Sequence, residues 1–477
     1  MNVEPAFEYS ARTAHNGPVS PFLQSAGETA GRQEAYRRYL CQVGKSERRS
    51  IEVRDIIDER NGMTLDLGNP LHKLIFDLMD VPVVQRMKRI AQIGGAQFVY
   101  QNAEHSRFGH SVGSAYLAAR VIEGMQSRCS RPIAAEIEKY APAVVAAAML
   151  HDVGHVAPRS HLAEQVWFPG QNEMHESLTL RIIKEDECLQ WVLRNSVERH
   201  PELLQYVSQI LHKSPNVPPW TSKLVSGGGW NVDRGDWVYR DSVHCGVHYG
   251  RYDIVPLMKR LAVAEGGELV VTEEGVGLIE NFFQARANMY RFVYYHPVSR
   301  VMWEIYKMVG RRARELYQEK KLHFADDTME EVLSATKAED LRLSTLLNMT
   351  EPWWEYHVER WMDSSDAVLR DLSKRIVLRR PFKRFKDDVE NSRLLNKLAD
   401  EAGLTPDYYL IMVPGRKKDD RKDLDDAALK VLRNRGELIP LTEYSQLMEA
   451  HAMSDVAANR FLAMPVEPFY LFKEWVH

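Results

Sequence analysis

Cysteine is scarce and unpaired in this chain. Cys41, Cys129, Cys188 and Cys245 are scattered through 477 residues with no CxxC spacing. That excludes a disulfide-built scaffold and suits a reducing compartment, where thiols pack as small core residues. No basic stretch followed by an apolar one opens the sequence, so no secretory signal is expected. No apolar run reaches the ~18–20 residues of a membrane span. An excess of one charge is also missing, since the formal net charge is -4. Charge therefore gives no reason to propose a nucleic-acid or membrane partner, and leaves single-stranded nucleic acid open. The expectation is a cytoplasmic protein with no membrane contact.

What is present is a globular composition, 44% hydrophobic, in a chain long enough to bury a core without staples. Residues 1–50 are polar and rich in Gly, Ser, Pro and Gln, which reads as a tail with room for a short helix at 34–43. The texture changes again at Lys374. The expected division is a tail at 1–50, a core at 51–373 and a smaller mixed α/β region at 374–477. The fold class expected is mainly α.

Two strands, 51–55 and 63–67, flank an Asn61-Gly62 turn signal. Leu71, Leu74, Ile75, Leu78 and Met79 recur at helical spacing, and Pro82 restarts a second helix that ends at Gly94-Gly95. Phe98-Val99-Tyr100 reads as extended, and a hairpin is expected between 265 and 279. Helices are expected over 281–319 and 328–372, then strands at 376–378 and 408–414. The charge run at 417–426 reads as an exposed loop.

The chemistry gathers around one stretch. An Ala- and Val-rich run at 141–149 predicts a buried helix, and Leu150-His151-Asp152-Val153-Gly154-His155 follows it. Gly154 reads as the helix stop. A His-Asp pair at the end of an apolar helix is neutralised by a partner or holds a cation. His110 and Asp233 supply what a cation needs. Two imidazoles and two carboxylates form a mixed N/O set suited to Fe, Mn, Zn, Ni or Co, and the lack of thiolates argues against a structural zinc knot. A lone buried histidine is more often a satisfied core residue, so the joint pattern carries the weight.

That pattern extends over long, ordered phrases: DVPVVQRMKRIAQIGG at 80–95, SRFGHSVG at 106–113, HDVGH at 151–155, HE at 175–176, VDRGDWVYRD at 232–241 and RANMYRFVYYH at 286–296. The chain thereby resembles the HD-domain triphosphohydrolases that act on deoxynucleoside triphosphates. The resemblance implies an HD phosphohydrolase core with His110, His151, Asp152 and Asp233 as metal ligands. It implies that water attacks the α-phosphorus, so that a deoxynucleoside and an intact triphosphate leave. Mg could accompany the substrate phosphates. Arg107, Arg234 and Arg286 are implied as triphosphate contacts, in keeping with bidentate guanidinium–phosphate geometry. His155 and His175 are implied as proton carriers at the scissile bond, with Glu176 orienting its neighbour.

Sugar recognition is implied at Gln92 and Asp241, which match positions that hold the 3′-hydroxyl. Ile93 and Tyr294 match a wall that leaves no room for a 2′-hydroxyl. Trp237 stands where relatives often carry Tyr.

The match departs in places. Asp55-Ile56-Ile57-Asp58 replaces the usual Asp-Pro-(Ile/Val)-His-Gly. Arg234 replaces a Lys, Tyr290 a His, and a histidine is offset to His161. Asp80, Gln85 and Lys88 match residues that read an activating nucleotide. A homo-oligomer, often a tetramer in relatives, is implied. Two rival readings stand beside this one: an HD-type phosphodiesterase or nuclease, and a non-catalytic nucleotide-binding scaffold.

Overall fold

In the computed structural model the described residues are 50–53, 63–415 (except 160, 172 and 198–199), 429–433, 436–448 and 460–465. The expected tail, the Asp55–Asp58 phrase, the Asn61-Gly62 turn and the 417–426 charge run lie outside them. The fold is mainly α.

Asn69 caps the first helix, α1 (Pro70–Met79), by accepting from the Leu71 amide, and Pro70 sits at the first turn where no donor is needed. The apolar face read from the sequence buries Leu74, Ile75 and Leu78. The central pair is α2 (Arg107–Gln126) and α3 (Arg131–Leu150). Ala141, Ala143, Ala146, Ala147 and Ala148 of α3 are buried. Small side chains let its neighbours approach closely, and α2, α1 and the helix at Leu203–Leu211 all pack on α3. Next come α4 (Met174–Glu185) and α5 (Val232–His244), the latter lying across α2. Helix α6 (Val276–Met289) runs into a π turn at Tyr290–Tyr294, and α7 (Pro297–Gln318) follows. Helices α8 (Glu351–Trp361) and α9 (Ala367–Val377) close a second apolar core against α7.

Nine short strands form three small sheets among the described residues. Strands β1 (Ser50–Val53) and β2 (Met63–Asp66) pair antiparallel, as the sequence suggested. Strands β3 (Leu261–Val263) and β4 (Leu269–Thr272) form the expected hairpin, slightly earlier than read. In the C-terminal region, β5 (Lys383–Lys386) and β6 (Ile411–Val413) flank the fully buried β9 (Phe461–Met464). Strand β7 (Lys430–Leu432) pairs with β8 (Leu438–Pro440) and runs parallel to β4, so this region completes a core sheet.

Four local expectations need correction. The helix expected from Pro82 to Gly94-Gly95 is one α turn (Pro82–Gln85) and a 3-10 turn (Arg86–Arg89), after which Ile90 is extended. Ile376 and Val377 are helical, because Asp366 caps α9 and Leu369, Leu372 and Ile376 follow helical spacing into the core. Residues 96–98 form a 3-10 turn entered through Gly95 at φ 72° rather than an extended segment. Tyr408 and Tyr409 end a one-turn helix (Pro406–Tyr409) before β6 begins. No helix of the described residues is long and apolar enough to cross a membrane.

Candidate active site

Three elements bring the expected ligands together. Helix α2 supplies His110 from its first turn, the end of α3 supplies His151 and Asp152, and the first turn of α5 supplies Asp233. Nε2 of His110 lies 3.3 Å from Nε2 of His151, 3.3 Å from Oδ2 of Asp152 and 3.2 Å from Oδ1 of Asp233. Nε2 of His151 lies 3.5 Å and 3.4 Å from the same two oxygens. Tetrahedral bonds of about 2.0–2.1 Å separate neighbouring donors by about 3.3–3.4 Å. The spacing and the N/O chemistry therefore fit a divalent cation.

Hydrogen bonds behind these four residues aim them. Nδ1 of His151 donates to the carbonyl of Ala148 at 2.9 Å, leaving Nε2 as the free lone pair. Nδ1 of His110 faces Oδ1 of Asp236 at 2.7 Å, and Arg240 grips Asp236 through both oxygens. Burial alone would push the His110 imidazole down, but its hydrogen bonds to Asp152, Asp233 and Asp236 hold it well above the ordinary value. Asp152 is held well below the usual carboxylate range. Burial opposes this and is outweighed by the charges of Arg107, His151 and His155. Arg107 forms an ion pair with Oδ2 of Asp152, the oxygen that faces both histidines.

The loop carrying the pair is clamped from two sides. The buried Arg86 guanidinium donates to the carbonyls of Val153 (2.7 Å) and His155 (2.8 Å). On the other side, the Gly154 amide donates to Thr179 Oγ1 at 2.9 Å, and that hydroxyl donates to the His151 carbonyl at 3.0 Å. The expected reading of Gly154 as a helix stop is corrected: α3 ends at Leu150, and Gly154 is not in the left-handed region. Its lack of a side chain lets α4 pack against the loop, since a Cβ there would lie 2.2 Å from the His175 carbonyl oxygen.

That contact brings three histidines together. The rings of His155 and His175 stack at 4.3 Å, and His161 meets His175 edge-on at 5.0 Å. Burial, Arg107 and His175 keep His155 well below its ordinary pKa. The carboxylate within hydrogen-bond distance of His175 is that of Glu164, 2.6 Å from Nδ1, whereas Glu176 stands exposed at the cavity wall.

A cavity of about 640 Å³ opens beside the ligands. Gln92, Ile93, Arg107, His175, Trp237, Asp241 and Tyr294, all singled out in the sequence, contribute to its lining. Asp241 is held at both oxygens, Oδ1 by His105 at 2.8 Å and Oδ2 by the Tyr294 hydroxyl at 2.6 Å. Burial and the Asp241 charge push the Tyr294 phenol well up, so it remains a donor.

Other expected residues are not gathered here. Arg234 donates to the Gly229 carbonyl at 3.0 Å and the Arg286 guanidinium lies over the Tyr290 ring, and neither is part of the lining. Gln85 donates to the Met79 carbonyl and Lys88 sits over Phe108, in a segment apart from the cavity lining. The sequence reading passed over Asp236, Arg240, Glu164, Thr179 and His105. Asp233, Asp236 and Arg240 share one face of α5 by helical spacing, a signal that was legible; no spacing links Glu164 to His175 or His105 to Asp241.

Comparison with known proteins gives the chain's family. An HD domain matches residues 107–214, and an HD associated region matches 252–461. A Bacillus subtilis protein, the uncharacterized YwfO, is 31% identical over 350 residues, covering 71% of this chain and 75% of the relative. A phosphohydrolase of Bacteroides thetaiotaomicron has a TM-score of 0.71 at 25% identity, over 87% of this chain and 100% of that one. The chain belongs to the HD-domain phosphohydrolase family. Within that family it is similar to deoxynucleoside triphosphate triphosphohydrolases: the chicken (Gallus gallus) protein SAMHD1 is 24% identical over 321 residues, 59% of this chain and 50% of the relative.

Proposed function

We propose that the protein hydrolyses deoxynucleoside triphosphates at the α-phosphorus, releasing a deoxynucleoside and an intact triphosphate. The convergence of His110, His151, Asp152 and Asp233 beside a cavity whose walls include Ile93, Asp241 and Tyr294 carries the reading. When bound there, a divalent cation such as Fe, Mn, Zn, Ni or Co would acidify water and polarise a phosphoryl oxygen.

The chain's own groups do the rest. Arg107 offsets the negative charge of the polyphosphate, whose hydrolysis depends mainly on positioning and charge neutralisation. Glu164 holds Nδ1 of His175, so Nε2 is presented to give a proton to the departing 5′-oxygen. Asp241 and Gln92 hold the 3′-hydroxyl, and Ile93 and Tyr294 exclude a 2′-hydroxyl. Glu176 at the cavity wall, Arg234 and Arg286 behind it, and an activating nucleotide at Asp80, Gln85 and Lys88 remain parts of this reading. So does self-association, as a tetramer: Val389, Leu394 and Leu398 leave apolar surface in the 374–477 region for a second copy to cover.

The test is product analysis. The purified protein is incubated with each deoxynucleoside triphosphate, singly and mixed, with Mg²⁺ or Mn²⁺. Intact triphosphate and free deoxynucleoside are expected. Monophosphate or cleaved strands would instead support a phosphodiesterase or nuclease, and no turnover with retained nucleotide binding would support a scaffold.

A further inference from the structure

We infer that Trp303 is the platform on which the nucleobase of the substrate stacks, an assignment that rests on the nucleotide reading above. One face of α7 is turned to the cavity: Arg300, Trp303, Glu304 and Lys307, at i, i+3, i+4 and i+7, all line it. Among them Trp303 has a distinctive seat. A Cβ on Gly94 would lie 2.8 Å from Nε1, 2.9 Å from Cε2 and 2.9 Å from Cζ2 of the indole, and a Cβ on Gly95 would lie 2.8 Å from Cδ1. Near-equal approach to these three atoms places the added Cβ out of the ring plane, beside the Nε1–Cζ2 edge. The glycine pair therefore packs against the Nε1 edge from one side of the indole.

The indole remains partly exposed, and its Nε1 makes no hydrogen bond among the described residues. The face opposite the glycine pair is what it offers the cavity. Gly94 follows Ile93, which flanks the sugar, and Gly94 lines the cavity as well. A base leaves the sugar at C1′, away from the phosphates. The wall it meets beyond Ile93 is the one built by Gly94 and Trp303. Lys307 is neutralised by Glu304 at 2.6 Å.

Stacking tolerates every base because each has a π face. All four deoxynucleotides are thus accepted, with purines held more tightly through their larger overlap.

The experiment compares Trp303→Ala and Trp303→Phe with the unaltered protein. Two probes are used: the four deoxynucleoside triphosphates, and the triphosphate of 1,2-dideoxyribose, which has no base. Binding of α,β-imido-dATP is measured in parallel, with the abasic triphosphate as competitor. Trp303→Ala should weaken binding and raise KM for the four nucleotides by about 5- to 100-fold, leave the abasic compound unchanged, and leave thermal unfolding within a few degrees. Trp303→Phe should recover most of the loss. An equal loss for abasic and base-bearing compounds, or no loss for either, overturns the assignment. If the unaltered protein binds the imido nucleotide in a Trp303-dependent way yet hydrolyses nothing, the hydrolase reading fails and the base platform stands.

Discussion

Nδ1 of His110 lies 2.7 Å from Oδ1 of Asp236, and Arg240 fixes that carboxylate with two bonds of 2.8 Å. The relay sets the imidazole's tautomer and direction before any cation arrives. Partners of this kind are worth about 10- to 100-fold in metal affinity. Asp236→Asn keeps the shape and removes the charge, so it should weaken metal retention by that factor with helical content unchanged. Chelator competition followed by elemental analysis measures it. Affinity equal to the unaltered protein's would remove Asp236 from the site.

The raised pKa of His110 gives the site a direction in pH. Without metal, the raised imidazole favours a proton on Nε2, which faces Asp152 and Asp233, while Nδ1 keeps its hydrogen toward Asp236. A cation has to displace that proton, so affinity should rise with pH between about 6 and 7.5, by up to about tenfold per unit for one proton released. The stability of the metal-free protein runs the other way. A histidine raised on folding contributes fully below its unfolded value of 6.5 and loses that contribution as pH climbs through the folded value. Thermal unfolding in chelator should therefore fall on the alkaline side, and added metal should restore it. Metal affinity independent of pH over this window would contradict the assignment.

Glu164 gives a third expectation. Its carboxyl is lowered: burial pushes it up, and the hydrogen bond and charge of His175 more than offset that. Glu164→Gln should cut kcat about 10- to 100-fold with KM for the nucleotide little changed, because the ring it steadies acts on the leaving oxygen rather than on binding. Glu176→Gln, at an exposed position, should lower kcat less. Steady-state kinetics of the two variants side by side decides between the carboxylates. The larger loss in Glu176→Gln would reverse the assignment.

How far the sequence could be read follows from the range of the forces involved. Helical periodicity is local, so α1, α2 and α3 were legible, and His110, His151, Asp152 and Asp233, which the fold brings together, sit in long phrases. The strand expected at 376–378 failed because three consecutive apolar residues fit either period, and the cap at Asp366 settles the matter in favour of α9. Pairings that depend on tertiary approach left no local trace. The parallel match of β4 with β7 joins residues about 160 apart in the chain. The contact of Glu164 with His175 crosses a loop. Arg234 donates to a backbone carbonyl and Arg286 lies over a tyrosine ring, contacts that no local pattern signals.

Gly154 provides the most stringent test of the loop geometry. A methyl group there would lie 2.2 Å from the His175 carbonyl oxygen and 2.4 Å from the Thr179 amide nitrogen. Both are backbone atoms, so no rotamer change relieves the clash and α4 has to move away as a unit. Overpacking of this sort costs about 1–3 kcal/mol. A shift of about 1 Å in His175 costs about a hundredfold in rate. Gly154→Ala should therefore unfold several degrees earlier and lose about two orders of magnitude in kcat, while His110 and Asp233, on other elements, still retain metal. Thr179→Val serves as the contrast. It deletes the hydroxyl that joins the Gly154 amide to the His151 carbonyl without adding volume, so it should lower stability with a smaller effect on rate. Calorimetry and single-turnover kinetics on both variants separate the two effects. Full activity in Gly154→Ala would mean that close approach of the loop and α4 is not what seats His175.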